Sequence, residues 1–272
     1  MNKEIITSRQ NPLVKFVCGL ADKKRRTESG LFRFDGIKLL LEAVSANVRI
    51  KHVICREPAS DAVSGKVEEL VASGRIDGEC IVYVSESVFE KLSEEKSPEG
   101  VLTVAYRAED AGESGDALPP LNARILVAEA LRDPGNLGTV MRSCYALGID
   151  RLVLTDDCAD IYNPRTVRAA MGAVFRMPVQ RVCSASLPSF IGELRRSGRA
   201  VYATALDESS VSISDLKLRV GDCFVIGNEG HGLTNATVKA CTQSVIIPLR
   251  EGAESLNAAA AAAICIWETV KA

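Results

Sequence analysis

The chain has 272 residues, of which 47% are hydrophobic and 25% charged, and its formal net charge at pH 7 is −2. These values are typical of a folded globular protein and exclude a disordered chain. Because the charges nearly balance, a surface for nucleic acid would have to be a local patch rather than a global field.

The cysteines and the apolar runs indicate a cytoplasmic protein. None of the nine cysteines forms a CxxC pair, and with only two histidines in the chain we expect no metal site. We expect reduced thiols, as in a cytoplasmic compartment. The opening MNKEIITSRQ is polar, and the longest apolar run, Ala258 to Trp267, is too short for a membrane span.

A short acidic segment divides the chain. Residues 108–121 hold four acidic residues, no basic residue and two consecutive prolines. They show no apolar periodicity, so the sequence predicts a linker between domains at 1–107 and 122–272.

The first region predicts a small α/β unit. In chain order, we expect a helix from Asn11 to Arg26, a strand at LFRF, a helix from Ile37 to Ala46, a strand at RIKHVICR, a helix over 61–73, a strand at CIVYV, a helix over 86–95 and a strand at VLTVAY.

The second region alternates apolar strands with helices more regularly. The predicted elements are the strand RILVAEA, a helix from Asn136 to Leu147 closed by Gly148, the strand RLVLTD, a helix over 163–173, the strand PVQRV, a helix over 186–197, the strands AVYATAL and CFVIGN, a helix over 234–241, the strand SVIIPL and a helix from Ser255 onward. This alternation favours a mostly parallel sheet with helices on both faces.

Ligands of open parallel sheets bind beyond the carboxyl ends of the strands, and polar residues with glycines follow three of these strands. In LRDPGNLGTVMRS, Asn136 is a candidate helix N-cap and Arg142 lies six residues later. The alternative interpretation is an ordinary capped helix with Arg142 as a solvated charge.

The second segment, FVIGNEGHGLT, contains Asn228 and Glu229 among three glycines that would let the backbone approach a ligand closely. It has neither P-loop nor dinucleotide-binding spacing, and the alternative is a glycine-rich turn. The third, VIIPLREGAESLNAAAAAA, offers Ser255 as a helix cap before six alanines. High helix propensity alone would also explain the alanines.

Together and in this order, the three segments resemble the motifs of the SpoU (TrmH-type) RNA 2′-O-ribose methyltransferases of the SPOUT superfamily. The resemblance covers residues 122–272. SRQNPLVKFVCGLADKKRR and GLFRFDGIKLLLEA, within residues 1–107, are similar to that family's ribosomal-protein-like RNA-binding domain, with Asp35 where members usually have glutamate.

The resemblance implies a deep trefoil knot in the catalytic sheet, a homodimer, and S-adenosylmethionine as cofactor. By motif position, the residues that contact the cofactor would be Gly227, Ile247 and Leu256. Those at the reaction would be Asn136, Arg142, Glu229, Ser255 and Asn257. Because arginine stays protonated and is a poor base, we expect Arg142 to position a phosphate and to stabilise alkoxide charge. Asn136, Glu229 and Asn257 would then hold Arg142 and the loops in place.

Two basic clusters are candidates for RNA contacts. One consists of Lys23, Lys24, Arg25 and Arg26, for which the alternative is a solvated helix end. The other consists of Arg165 and Arg168, with Arg176 nearby.

The sequence thus predicts an S-adenosylmethionine-dependent 2′-O-methyltransferase acting on ribosomal or transfer RNA, and the separate N-terminal domain favours ribosomal RNA. A non-enzymatic RNA-binding protein on the same scaffold is the alternative. A serine–histidine hydrolase is disfavoured, because the chain has no GxSxG motif.

Overall fold

The computed structural model describes residues 4–108, 117–207, 209–253 and 255–271. The chain folds into two compact units, one comprising Met1–Glu109 with Tyr162–Phe175 and the other Asp110–Ile161 with Arg176–Ala272. Tyr162–Phe175, which the sequence places in the second region, is grouped here with the N-terminal residues. The predicted linker falls mostly outside the described residues, and its described part contains no helix or strand.

The N-terminal unit is built on a five-stranded mixed sheet. Its strands are β1 (Ile5–Ile6), β2 (Leu31–Asp35), β3 (Ile50–Glu57), β4 (Ile81–Ser85) and β5 (Val101–Tyr106), in the spatial order β1-β4-β3-β5-β2. Its helices are α1 (Pro12–Gly19), α2 (Lys23–Ser29), α3 (Ile37–Ser45), α4 (Asp61–Ala72), α5 (Glu86–Leu92) and, later in the chain, α7 (Pro164–Ala170). Strand β5 runs antiparallel to both β2 and β3, whereas β4 runs parallel to β1 and β3.

The predicted helix from Asn11 to Arg26 is two helices. Helix α1 ends at Gly19, and α2 starts after Asp22, whose carboxylate accepts a hydrogen bond from the Lys24 N–H at 2.7 Å. The intervening carbonyls of Leu20 and Ala21 are satisfied by the guanidinium of Arg26 instead of by helix N–H groups. An aspartate N-cap therefore restarts the helix where the sequence pattern looks continuous.

The C-terminal unit contains the predicted parallel sheet. Its strands are β6 (Ile125–Ala128), β7 (Arg151–Thr155), β8 (Val179–Val182), β9 (Val201–Thr204), β10 (Val211–Ser212), β11 (Cys223–Ile226) and β12 (Gln243–Ile246), in the order β10-β12-β9-β11-β6-β7-β8. Its helices are α6 (Pro134–Leu147), α8 (Leu187–Arg196), α9 (Asn235–Ala240) and α10 (Ala258–Lys271). Every pairing in this sheet is parallel, which confirms the predicted fold class.

Helices cover this sheet because its strands are apolar on both sides. Strand residues such as Val127 and Val225 share a buried cluster with Phe190 and Leu194 of α8. Helix α10 packs against α6 and β11. None of the helices in the described residues is long and apolar enough to cross a membrane.

Two predicted helix caps are wrong by a few residues. Helix α6 begins at Pro134, and its N-cap is Asp133, whose Oδ1 accepts a hydrogen bond from the Asn136 N–H at 2.8 Å. Asn136 therefore lies inside the first turn. Helix α10 begins at Ala258, where Oδ1 of Asn257, and not Ser255, accepts from the Ala259 N–H at 2.9 Å. The Asn136 side chain is therefore free of a capping role, whereas Asn257 caps α10 through its oxygen and keeps its amide nitrogen for another contact.

Candidate active site and cofactor cavity

Three of the predicted catalytic residues form one hydrogen-bond network in the C-terminal unit. The Asn136 side-chain amide donates through Nδ2 to Glu229 Oε1 at 3.0 Å and accepts through Oδ1 from Asn257 Nδ2 at 2.9 Å. The carboxylate of Glu229 also accepts the backbone N–H groups of Arg132 and Asp133, at 3.3 and 3.2 Å. The network thereby ties together the start of α6, the loop after β11 and the start of α10.

The glycine-rich loop after β11 is a tight backbone turn. Asn228 and Gly232 exchange two backbone hydrogen bonds of 3.0 Å, and Asn228 Oδ1 accepts the N–H groups of Gly230 and His231. A Cβ on Gly227 would lie 2.4 Å from the carbonyl carbon of Gly232. Glycine is required at 227 because the returning backbone fills the space that a side chain would occupy.

The sequence analysis did not identify Glu129, a buried carboxylate that binds the residues following this loop. Glu129 follows β6 and is only 4% exposed. Its oxygens accept hydrogen bonds from the hydroxyls of Thr234 and Thr237 at 2.8 Å and from the Thr234 N–H at 2.9 Å. An acidic residue at the end of an otherwise apolar strand is the signal that could have identified it, because a buried carboxylate needs such partners.

A cavity of about 330 Å³ opens beside the network. Its lining comes from the ends of β9 and β12, the loop after β12 and the start of α10, and includes the predicted cofactor residues Ile247 and Leu256. Among the described residues that line it, none is charged. Gly227 is buried at the end of β11 and does not line this cavity. Leu256 lines the cavity and the next residue, Asn257, belongs to the network, so the cavity and the network meet at consecutive residues of the chain.

Arg142 and Ser255 stand apart from the network. The side chain of Arg142 is exposed on α6 and forms no hydrogen bond or ion pair with any residue that the structure describes. Ser255 is likewise exposed in the loop before α10. The expectation that Asn136, Glu229 and Asn257 hold Arg142 in place is therefore not met by direct contacts.

The first basic cluster is smaller than the sequence suggests. Arg26 is 1% exposed, and its guanidinium is bound to backbone carbonyls, so it is not a surface contact for RNA. Lys23, Lys24 and Arg25 are exposed in the first turn of α2. In the predicted single helix these cations would lie near the C-terminus, where the helix dipole favours positive charge. At the N-terminus of α2 the dipole disfavours them, so it does not explain why they are there.

The second basic cluster lies on α7, in the N-terminal unit. Arg168 is largely exposed and pairs with Glu95 at 3.1 Å. Arg165 stands in the first turn of the same helix, where the Asn163 side chain caps its N–H. Part of the positive charge of this cluster is therefore compensated within the unit.

The described residues of the candidate network and of the cavity lining include no cysteine. All nine cysteines are free, and burial raises the pKa of the Cys223 and Cys265 thiols to about 12. Within the described ranges, no three His, Cys, Asp or Glu side chains are grouped as a metal site would require.

Comparisons with known proteins agree with these motifs. Residues 123–267 match the SpoU rRNA Methylase family, and residues 11–103 match the MRM3-like substrate binding domain. The chain is 31% identical to the 23S rRNA (guanosine(2553)-2′-O)-methyltransferase RlmP of Bacillus subtilis, over 96% of this chain and 97% of that protein.

Solved structures also resemble the whole chain. A crystal structure of an RNA 2′-O ribose methyltransferase superposes with a TM-score of 0.83 at 26% identity and covers 98% of both chains. An AdoMet-bound rRNA methyltransferase from Sinorhizobium meliloti gives a TM-score of 0.81 at 28% identity, over 98% of this chain and 97% of that one. On the extent of the motif, sequence and structural matches, this chain belongs to the SpoU rRNA methylase family.

Proposed function

We propose that this protein transfers the methyl group of S-adenosylmethionine to a ribose 2′-hydroxyl of RNA. One observation carries the proposal. The Asn136–Glu229–Asn257 network adjoins the neutral cavity, because Asn257 of the network directly follows Leu256 of the cavity lining. Several relatives are named as 23S rRNA 2′-O-methyltransferases, including one of Streptomyces viridochromogenes that acts on a uridine. The protein is an RNA 2′-O-methyltransferase of this kind, and the non-enzymatic alternative has no support.

The cavity fits the adenosyl part of the cofactor. Its volume of about 330 Å³ is within the range of small-molecule sites, and its lining is mostly apolar with no charged side chain among the described residues, which suits a neutral purine nucleoside. Ile247 and Leu256 would hold the adenosyl group, and Gly227 would act indirectly by keeping the loop after β11 in its tight turn. When bound, the cofactor supplies a methyl group already activated by its sulfonium centre.

The protein must then align the ribose and allow the proton of its 2′-hydroxyl to leave. The new bond joins the 2′-oxygen to the methyl carbon as the bond from that carbon to sulfur breaks, and the hydroxyl proton leaves to water or to a neighbouring phosphate. We assign to Arg142 the binding of the adjacent phosphate and the stabilisation of negative charge on the 2′-oxygen. Its exposed guanidinium, without a partner in the described residues, is available for that contact.

The network has the positioning role in this scheme. Glu229 fixes Asn136, and Asn136 in turn fixes Asn257, the residue after Leu256 of the cavity lining. To Ser255, exposed two residues before Asn257, we assign a contact with the ribose or the cofactor. Interlocked side chains of this kind keep a site rigid while the substrate is aligned.

The substrate we propose is ribosomal RNA in the cytoplasm. A relative that matches over 97% of its own length is named as a 23S rRNA methyltransferase, and residues 11–103 match a substrate binding domain. Lys23, Lys24 and Arg25 are exposed cations on that unit and are candidates for phosphate contacts. Arg165 and Arg168 are a second candidate group.

We further propose that the protein acts as a homodimer with a knotted catalytic sheet. Tyr145 on α6 and Trp267 on α10 are 48% and 53% exposed, although the two helices pack together. A second copy would cover these rings. Light scattering of the pure protein should give a dimer, and Trp267→Glu should shift it to the monomer.

The test of function uses labelled S-adenosylmethionine with unmodified transcripts of 23S rRNA, 16S rRNA and transfer RNA. The wild-type protein should label 23S rRNA, and Arg142→Ala should label it at least ~100-fold more slowly, as for loss of a group that stabilises charge in the transition state. Arg142→Lys should recover little, because planar bidentate geometry is lost. If Arg142→Lys labelled RNA at the wild-type rate, the assigned role of Arg142 would be wrong.

A further inference from the structure

A groove of about 280 Å³ in the N-terminal unit lies outside the site described above. Its distinctive residues are Arg49, which precedes β3, Tyr106 and Arg107 at the end of β5, and Tyr162, which precedes α7. We refer to these four residues as the arginine–tyrosine groove. Two aromatic rings and two guanidinium groups face one concave surface, which is the combination that single-stranded nucleic acids use.

Each arginine of the groove lies over a tyrosine ring. The Arg49 guanidinium carbon is 3.6 Å from the centre of the Tyr106 ring, and the Arg107 carbon is 5.0 Å from the centre of the Tyr162 ring. The backbone holds both pairs, since the Tyr106 N–H donates to the Arg49 carbonyl at 2.9 Å and the Tyr162 hydroxyl accepts the Ala108 N–H at 3.0 Å. These hydrogen bonds keep each arginine next to the tyrosine ring that its guanidinium covers.

The charge of the groove is uncompensated. Among the described residues that line it, none is acidic. Arg49 and Arg107 form no ion pair with any residue that the structure describes, whereas Arg33 and Arg168 of the same unit each pair with a glutamate. The chain as a whole has a net charge of −2, so these two arginines form a local positive site. Because each guanidinium also lies over an aromatic ring, the site suits an anion that has a flat face.

We propose that the arginine–tyrosine groove binds one unpaired nucleotide of the substrate RNA. The base stacks on the outer face of the Arg49 guanidinium and continues the stack on Tyr106, and Arg107 binds the phosphate of the same or the next nucleotide. The nucleotide must be unpaired, because a base inside a duplex has no free face. This inference rests on the proposed function and adds a recognition site remote in sequence from the three catalytic motifs.

The experiment measures binding of the full-length protein to an unmodified 23S rRNA transcript by filter retention at fixed salt. Arg49→Ala should raise the Kd about tenfold, in line with the loss of one stacked base. Arg49→Lys keeps the charge but not the plane, so it should recover less than half of that loss. Lys66→Ala is the matched control, since Lys66 is an exposed cation of the same unit already paired with Glu69 at 2.9 Å.

A second readout separates recognition from catalysis. In the methyl-transfer assay, Arg49→Ala and Arg107→Ala should raise the KM for RNA about tenfold and leave the kcat and the Kd for S-adenosylmethionine unchanged. Thermal melting of each variant checks that it folds. The inference is overturned if Arg49→Ala binds the transcript as tightly as Lys66→Ala, or if Arg49→Lys binds as tightly as the wild type. A wild-type protein that binds the transcript but transfers no methyl group would refute the proposed function instead.

Discussion

Asn136 and Glu229 lie 93 residues apart in the chain and are joined by a hydrogen bond of 3.0 Å from Nδ2 to Oε1. This bond determines the orientation of the whole network. A carboxylate only accepts, so the amide of Asn136 must turn its nitrogen to Glu229 and its oxygen to Asn257. Asn257 then donates through Nδ2 and keeps its own oxygen for the N–H groups of α10.

Asn136→Asp tests this orientation with a change of one atom. The substitution places a second carboxylate beside Glu229 and removes the donor between them, so the two groups repel each other. We expect the kcat for methyl transfer to fall about 10- to 100-fold, as for loss of a hydrogen bond to a charged group. Asn235→Asp, at an exposed position in α9, is the control. Wild-type kcat in Asn136→Asp would show that the network does not position the reacting groups.

Gly227→Ala should disrupt the loop after β11. Its added Cβ would lie within 2.7 Å of three backbone atoms of Gly232 and Leu233, which cannot move independently. Methyl transfer should be lost and the melting temperature should fall. Gly230→Ala is the matched control, because its Cβ would meet only the Asn228 side chain at 3.6 Å. Equal activities of the two variants would contradict the tight-turn role assigned to Gly227.

Ala261→Leu should fill part of the cavity. Ala261 faces the cavity, whereas the adjacent Ala260 is exposed and does not line it. We expect Ala261→Leu to raise the Kd for S-adenosylmethionine at least ~10-fold by steric exclusion, measured by calorimetry, and Ala260→Leu to change it little. Tight binding by Ala261→Leu would place the cofactor elsewhere.

The stability of the protein should respond to pH through Asp35. Burial raises the pKa of this carboxyl, and hydrogen bonding to Ser93 and the charge of Arg33 only partly offset the effect. Because the folded state keeps the proton to a higher pH than the unfolded state, the free energy of unfolding falls as the pH rises from 3.8 through the folded pKa. Asp35→Asn does not titrate, so its stability relative to wild type should increase over the same range.

Urea unfolding at pH 4 and pH 7 measures this difference. Glu68→Gln, which removes an exposed carboxylate from α4, serves as the control for a simple loss of charge. A stability difference between wild type and Asp35→Asn that is the same at both pH values would show that burial does not hold the proton on Asp35.

The parallel sheet was predictable because its strands are apolar on both faces. Strand residues such as Leu126, Val153 and Phe224 are fully buried, and uninterrupted apolar runs of this length between helices have few other interpretations. The two-residue strands β1 and β10 were missed, since two residues carry no periodicity. The break at Asp22 and the burial of Arg26 were missed because each depends on tertiary contacts of a sequence that reads as one amphipathic helix.

The candidate site was predictable through its motifs and not through local physics. No local sequence pattern predicts that Asn257 donates a hydrogen bond to Asn136, 121 residues away in the chain. The resemblance brought them together as a set. Glu129 illustrates the opposite case, in which no motif was used but a buried carboxylate after an apolar strand had a physical meaning that could have been stated in advance.

The most direct test of the central claim is alkaline hydrolysis of RNA that the protein has labelled with methyl groups. A 2′-O-methyl ribose has no free hydroxyl to attack the neighbouring phosphodiester, so the bond on its 3′ side survives alkali. If the ribose is methylated, the label should run as an alkali-stable dinucleotide. Label recovered in mononucleotides would mean that a base was methylated, and it would contradict the ribose chemistry assigned to this site.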